Sequence, residues 1–558
     1  MEKIWLKSYP AGIPAEVDVK AFSSLPDIVG KTCERFRDRP AFSNMGTTMT
    51  YAALATAARN FAAYLQHDLK LVKGDRIALM MPNLLQYPVA LFGALRAGLT
   101  VVNCNPLYTA RELEHQLKDS GATTIVVLEN FAATLQKVLD KTAVNTVITT
   151  EVGDLQPPLK GLLINLMVKY VKRMVPYWHI QYSVSFNSAL ETGKRRDLKA
   201  VPLSHDDVAF LQYTGGTTGV AKGAILTHGN MVANLQQGSA WIANGMKEGV
   251  EVMIIPLPLY HVLSLTCSMI FFKIGAHLVL VTNPRDLPAF LKELQRVRFT
   301  AILGVNTLFN ALLNTPGFAE VAGRTLKLAF AGGMAVQEPV ARRWEAVTGA
   351  PLIEGYGLTE ASPIVTGNPL NIKDWTGTIG LPIPSTEVTI RNDAGEELPL
   401  GVVGEICVRG PQVMKGYWNR PDETGNAFFS DWLRTGDLGF MDERGYIKMT
   451  DRKKDVVIVS GFNVYPNEVE EVVIAHPGVL EVAAIGVPDE KSGEAVKVIV
   501  VKKDQNLTVD EVIAHCKKNL TSYKVPKQVE LRTEPLPKTS IGKILRRVLR
   551  DEQQHKTV

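Results

Sequence analysis

Apolar positions along the chain fall into two alternating patterns: stretches where they recur every three or four residues, and short uninterrupted runs. In the first third, the periodic stretches predict helices over residues 53–66, 87–97 and 111–119, and the runs predict buried strands over 76–81, 99–103 and 123–128. The alternation returns with strands over 252–255, 277–281, 300–303 and 326–330, separated by helical stretches such as 287–296 and 339–347. A strand buried on both faces needs a helix to carry the chain back to its parallel neighbour, so each block predicts a doubly wound α/β layer. From 377 to 410 the runs shorten and turn residues intervene, including Asn392, Asp393, Ala394 and Gly395, which predicts a small antiparallel barrel or sheet.

The charged run Asp451, Arg452, Lys453, Lys454, Asp455 is the clearest boundary. Beyond it come a helix near 467–475, strands over 482–487 and 496–501, and a helix opened by Thr508, which forms a capping box with Glu511. The expected fold class is therefore α/β: a large domain over 1–450, built from two doubly wound subdomains and a small β-barrel, then a small α+β domain over 451–558.

Residues 213–223 change the picture from architecture to chemistry. They join the apolar runs 208–211 and 224–226, and they read Tyr213, Thr214, Gly215, Gly216, Thr217, Thr218, Gly219, Val220, Ala221, Lys222, Gly223. The glycines leave the backbone free to fold closely around an anion, the threonines add hydroxyl donors and Lys222 supplies positive charge. A flexible hairpin tip explains the glycines but not the hydroxyls and the lysine. A Walker loop is excluded, because Lys222 is preceded by Ala221 and followed by Gly223.

Composition narrows the class. The 558 residues carry 61 basic and 56 acidic side chains, an excess of +5 that is too small to imply nucleic acid as a partner. Five cysteines are scattered without C-x-x-C or metal-ligand spacing, which argues against a disulfide framework or structural zinc and fits a reducing cytosol. The N-terminus has no signal-peptide core, and the longest apolar stretch, 262–272, is cut off by His261 and Lys273, short of a membrane span. On a helical wheel, residues 161–176 gather Asn165, Lys169, Lys172 and Arg173 opposite Leu163, Met167, Tyr170, Val171 and Met174. That suits either a surface helix packed on the core or a helix lying on a membrane surface.

Three further constellations stand out. Tyr356, Gly357, Leu358, Thr359 and Glu360 follow a short buried run over 351–353, which places Glu360 just beyond a strand end, where α/β sheets bind ligands. A carboxylate there either holds Mg²⁺ on a nucleotide or caps the next helix. Arg434, Thr435, Gly436 and Asp437 put an acid at a turn, suited to accepting hydrogen bonds from ribose hydroxyls or simply to making the turn. Lys543 follows Gly542 ahead of a basic helix over 544–550.

Together with Pro258, Leu259, Tyr260 and His261, and with residues 451–470 and 537–543, these motifs occur in the order found in the adenylate-forming (AMP-binding) superfamily, which the chain resembles over nearly its whole length. The closer likeness, through 80–88 and 461–466, is to bacterial long-chain fatty-acid CoA ligases. The resemblance implies a two-step reaction: a fatty carboxylate attacks the α-phosphorus of ATP to give an acyl-adenylate and pyrophosphate, and the CoA thiol then displaces AMP. It implies that Thr214, Thr217, Thr218 and Lys222, with Tyr213, Gly215, Gly216 and Gly219, hold the phosphates. Glu360 and Thr214 would bind Mg²⁺, with Thr359 beside the α-phosphate. Tyr356, with Gly333 and Gly357, would receive adenine, Asp437 and Arg452 the ribose. Lys543 would bridge carboxylate and α-phosphate, and His261 would line the acyl-adenylate site. Two anions must meet, so charge neutralisation carries the chemistry and no protein nucleophile is required.

The same likeness implies a mobile small domain turning near Lys454. A homodimer is also open, and the basic and apolar faces of 161–176 raise a cytoplasmic protein touching the inner face of the membrane there. Leu265 stands where some relatives carry a gating tryptophan, so such a gate is not expected. Two rival readings follow from the same residues: an enzyme that passes the acyl group to a carrier protein, or a non-catalytic nucleotide-binding regulator. Glu360, Asp437 and Lys543 disfavour the second.

Overall fold

The computed structural model describes residues 2–214, 221–323, 325–489 and 491–556. Two large sheets form the body of the protein. In the seven-stranded sheet the order runs Val184–Ser185, Thr146–Thr150, Thr124–Leu128, Arg76–Met80, Thr100–Asn103, Val208–Thr214 and Lys222–Thr227, parallel except for the last pair. The nine-stranded sheet has a parallel centre of Leu352–Gly357, Leu328–Ala331, Ala301–Gly304, Val252–Ile255 and His277–Leu280. These are the two α/β layers expected from the pattern. One continuous core joins them, with Phe61, Tyr87, Phe210, Leu257 and Phe272 among its members.

Helix Val262–Lys273 is apolar on every side and buried from Val262 to Phe272. A helix hydrophobic all round belongs in the interior of a large domain, and among the described residues no helix is long and apolar enough to cross a membrane. All five cysteines are buried and unpaired.

The antiparallel texture beyond residue 377 becomes a five-stranded sheet in which Glu387–Arg391, Gly404–Arg409, Trp432–Met441 and Phe428–Phe429 follow in order, and Ile447–Arg452 pairs with Trp432–Met441. The small domain has its own sheet, dominated by the hairpin Val479–Asp489 and Gly493–Lys502, under helices Pro466–Ile474 and Val509–Asn519. The hairpin strands extend past their apolar runs because the ladder continues into polar residues. Thr508 and Glu511 make the capping box: the Glu511 amide donates to Thr508 Oγ1 at 3.3 Å and the Thr508 amide to Glu511 at 2.8 Å.

Two local expectations are corrected. The basic helix near the C-terminus starts at Arg546 rather than 544, since Ile544 bridges back to Lys538. Residues 161–176 are not one amphipathic helix: helix Pro158–Leu166 widens into a π turn over Met167–Val171 and stops, with Arg173 in the left-handed region (φ 51°). Its orientation is also the reverse of an ordinary surface helix. The Asn165 amide donates to Glu151 at 2.7 Å and Lys169 lies 3.6 Å from buried Glu129, so these two polar side chains reach in to the protein, whereas Lys172 and Arg173 are exposed. Leu159, Leu162, Leu163, Tyr170 and Val171 are 56–74% exposed.

Candidate active site

Strand Leu352–Gly357 ends in a short 3₁₀ turn, Thr359–Ala361, that carries Thr359 and Glu360. The strand doubles back so tightly that a Cβ on Gly357 would lie 2.0 Å from the Pro363 carbonyl oxygen, hence glycine there. Tyr356, nearly buried, donates its hydroxyl to Asp437 Oδ2 at 2.7 Å. Burial, and then the Asp437 charge, push the Tyr356 phenol well above its ordinary range, so it stays a donor.

Asp437 is itself placed by the five-stranded sheet, strand Trp432–Met441. It sits opposite Arg452 in the ladder, and the Arg452 Nε is 3.5 Å from Asp437 Oδ1. The turn before it is pinned by buried Glu405, which accepts from the Gly436 amide at 3.1 Å and from Arg434 at 3.0 Å. Asp437 thus presents a fixed carboxylate flanked by a phenol and a guanidinium.

The small domain delivers the next group. Within the turn over 537–543, the Thr539 amide donates to the Lys543 carbonyl at 2.7 Å and the Lys543 amide to Thr539 Oγ1 at 3.1 Å. Gly542 has φ +89°, and its carbonyl accepts from Thr307 Oγ1 of the large domain at 3.0 Å; a Cβ at Gly542 would meet that oxygen at 2.8 Å. The turn therefore docks Lys543 into the site. Burial, and then the charge of Arg452, push the Lys543 ammonium down from 10.5 to about 7, with Asp437 opposing. His261 caps helix Val262–Lys273, its Nδ1 accepting from the Leu263 amide at 3.3 Å. Burial and then Lys543 lower it to about 4, which keeps it neutral at physiological pH. Gly333 lies between Leu263 and Ile541, the latter two residues before Lys543.

On the other side of Tyr356, Glu360 accepts from the Tyr417 hydroxyl at 2.7 Å, and Lys222 lies over the Tyr417 ring at 5.2 Å while pairing with Glu423. Burial raises the Glu360 carboxyl, with the Tyr417 hydrogen bond opposing. Thr214 faces Lys222 across the ladder, and Tyr213 is anchored by its hydroxyl to Asp119 at 2.7 Å. Gly215, Gly216, Thr217, Thr218 and Gly219 lie outside the described residues. Among the described residues, no group of three or more His, Cys, Asp or Glu side chains is assembled to hold a metal. A single half-buried carboxylate beside a hydroxyl suits an ion that takes its remaining ligands from substrate phosphates and water, as Mg²⁺ does.

Tyr417, Glu423, Thr307, Glu405 and Asp119 were not anticipated as site residues. Only Tyr417 had a signal, an aromatic after glycine in Lys415, Gly416, Tyr417, Trp418, a segment whose amides and carbonyls pair with the strand carrying Lys222.

The sequence comparisons give the family of a chain with this fold and these side chains. The chain belongs to the AMP-binding enzyme family, matching it over residues 29–418 and matching the AMP-binding enzyme C-terminal domain over 468–543. Among curated proteins it is 57% identical over 554 residues to a long-chain-fatty-acid–CoA ligase of Yersinia pestis, covering 99% of this chain and 98% of that one. It is 39% identical over 556 residues to the protein of that name from Bacillus subtilis (strain 168), with 99% and 98% covered. Among solved structures it is similar to ATP-bound MatB from Rhodopseudomonas palustris (TM-score 0.81, 28% identity, 95% of this chain and 99% of that one). A benzoate CoA ligase from Burkholderia xenovorans LB400 is similar at a TM-score of 0.80 and 26% identity, with 94% and 99% covered.

Proposed function

We propose that the protein is a long-chain fatty-acid CoA ligase that forms an acyl-adenylate from a fatty acid and ATP and then a CoA thioester. The observation that carries the reading is the docking of the Lys543 turn against the large domain, through the Thr307 hydroxyl that donates to the Gly542 carbonyl at 3.0 Å, in a chain whose full-length relatives bear that name. In the first step a carboxylate oxygen bonds to the α-phosphorus and the bond to pyrophosphate breaks. In the second the CoA sulfur bonds to the acyl carbon, the bond to AMP breaks, and the thiol proton leaves to solvent.

Tyr356 receives adenine and, through its hydroxyl, holds Asp437, which takes the ribose hydroxyls with Arg452. Lys543 is charged by the anions it meets: a lysine already pushed down to about 7 regains its proton when phosphate and carboxylate arrive, and it neutralises both. Neutral His261 lines the acyl side without adding charge. Lys222, Tyr213, Thr214 and the glycine loop hold the outer phosphates, and Thr359 lies at the α-phosphate. Glu360 and Thr214 would hold Mg²⁺, which when bound supplies positive charge to the phosphate oxygens. Leu265, fully buried, leaves the acyl side without a tryptophan gate. Each methylene adds about 0.8 kcal/mol on burial, so discrimination between neighbouring chain lengths is shallow.

Pyrophosphate release and thioester formation are measured with fatty acids of graded length, with and without CoA. Turnover to thioester is expected. Pyrophosphate without thioester moves the assignment to an enzyme serving a carrier protein, and neither product moves it to a nucleotide-binding regulator. A homodimer, part of the same expectation, is read from light scattering of that preparation.

We place a membrane contact on residues 158–174. Support comes from the outward apolar side of this helix, from exposed Lys172 and Arg173, and from the absence of any Asp or Glu between residues 155 and 190. Lys169 is not part of the contact, being paired with Glu129. Co-sedimentation with anionic vesicles is expected to fall when Leu162, Leu166 and Tyr170 become Ser, and when Lys172 and Arg173 become Glu. Binding unchanged by both sets overturns the placement.

A further inference from the structure

The covalent junction between the two domains is narrow. Lys453, past the expected boundary at 450, still belongs to the large domain: its amide donates to the Gly436 carbonyl at 3.0 Å and its ammonium pairs with Asp393 and, at 3.5 Å, with Glu405. The Asp455 side chain already joins the small domain, bound by Arg550 and, at 3.5 Å, by Arg546, while its amide still donates to the Arg452 carbonyl at 2.9 Å. Lys454 between them makes no hydrogen bond or ion pair among the described residues.

One carboxylate reaches across this junction. Asp451 is fixed in the large domain by its strand, opposite Leu438, and is completely buried. Its Oδ2 accepts from the Asn467 amide at 2.8 Å, and its Oδ1 accepts from Arg546 Nη1 at 3.1 Å; the Asn467 side chain also donates to the Thr450 carbonyl at 3.2 Å. Asn467 is the second residue of helix Pro466–Ile474, whose own cap residue, Tyr465, makes no side-chain cap hydrogen bond. The first amides of a helix lack internal partners and carry partial positive charge, so a buried carboxylate there satisfies both. Arg546, three residues after Lys543, spends its other donors on Glu470 at 2.7 and 2.9 Å and on Asn467 Oδ1 at 2.6 Å.

We propose that Asp451 is a positioning residue that holds the small domain in the orientation presenting Lys543, by capping helix Pro466–Ile474 and gripping Arg546 across the junction. If the domain turns about Lys454, Asp451 stays with its sheet while Asn467 and Arg546 leave with theirs. The contact therefore exists in this orientation alone and biases the equilibrium towards it. Arg546 keeps Glu470 and Asp455 in either orientation, so losing Asp451 does not strip the small domain of its internal ion pairs. The inference rests on the proposed two-step reaction, in which only the first step uses Lys543.

The test compares Asp451→Ala and the milder Asp451→Asn with wild type in single-turnover pyrophosphate release and in thioester formation from supplied acyl-adenylate. Adenylation is expected to fall by about 5- to 150-fold, the range that one conformational coupling spans, with the second step unchanged or faster. Because the native cysteines are all buried, spin labels on Ala346→Cys and Lys517→Cys, both exposed, report the domain distance without interference. The distance population of wild type is expected to shrink in Asp451→Ala. Equal loss in both steps with the distance unchanged overturns the proposal, as does no change in either. If Asp451→Ala does not fold, Asp451→Asn carries the same comparison. If wild type releases no pyrophosphate, the reaction assignment fails, while the distance measurement still decides the role of Asp451.

Discussion

Replacing Lys543 by methionine is expected to make the protein more stable and unable to adenylate. The lysine is held at about 7 against an ordinary 10.5, chiefly by burial. At about 1.4 kcal/mol per pH unit, that gap corresponds to roughly 5 kcal/mol disfavouring the ammonium in the folded protein. A side chain able to swing towards water recovers part of it, so the expected gain on substitution is about 1–3 kcal/mol near neutrality. The sign follows from proton binding. Between about 7 and 10.5 the unfolded chain holds the lysine proton and the folded chain does not, so wild-type stability from this group rises with pH across that window. The advantage of Lys543→Met is then greatest at and below pH 7 and vanishes as pH approaches 10.5. Unfolding of both proteins at several pH values measures it. In parallel, pyrophosphate release should fall by about a hundredfold or more, while supplied acyl-adenylate is still converted to thioester. A variant less stable than wild type at neutrality, a difference that does not shrink with rising pH, or equal loss in both half-reactions refutes the reasoning.

Lys454→Pro fixes φ at the unpartnered junction residue, and single-turnover assays should find adenylation retained with thioester formation reduced by orders of magnitude. Tyr417→Phe removes the donor to Glu360 and should cost about 1–3 kcal/mol there, read as a higher Mg²⁺ requirement for pyrophosphate release. Because that hydrogen bond opposes the burial that raises Glu360, the acid limb of the activity profile should move to higher pH in the same variant. Thr508→Ala should lower the stability of the small domain by about 1 kcal/mol through its capping box, with both half-reactions unchanged at low temperature.

Local signals were legible in the sequence where they were self-contained. Strand Val252–Ile255 and helix Leu287–Arg296 agree with the pattern to the residue, since each is a clean apolar run or a single periodic face bounded by turns. The capping box at Thr508 is likewise local. Candidate site residues could be named but not joined. Asp437 meets Arg452 only through strand register, Gly542 meets Thr307 across 235 residues, and Tyr417 lies between Lys222 and Glu360 by an edge pairing that leaves no period in the chain. The wheel over 161–176 separates two faces, yet which side chains turn inward depends on Glu129 and Glu151, two acids elsewhere in the chain that draw Lys169 and Asn165 down.

Lys222 already has a partner of its own in Glu423. On the proposed reading, a phosphate chain arriving at this strand end would have to displace a carboxylate rather than fall onto a bare cation, so weakly charged or singly bound anions would compete poorly there. The same exchange would run in reverse when pyrophosphate departs: Lys222 would have a partner to return to, and the leaving product would strand no charge in a half-buried place.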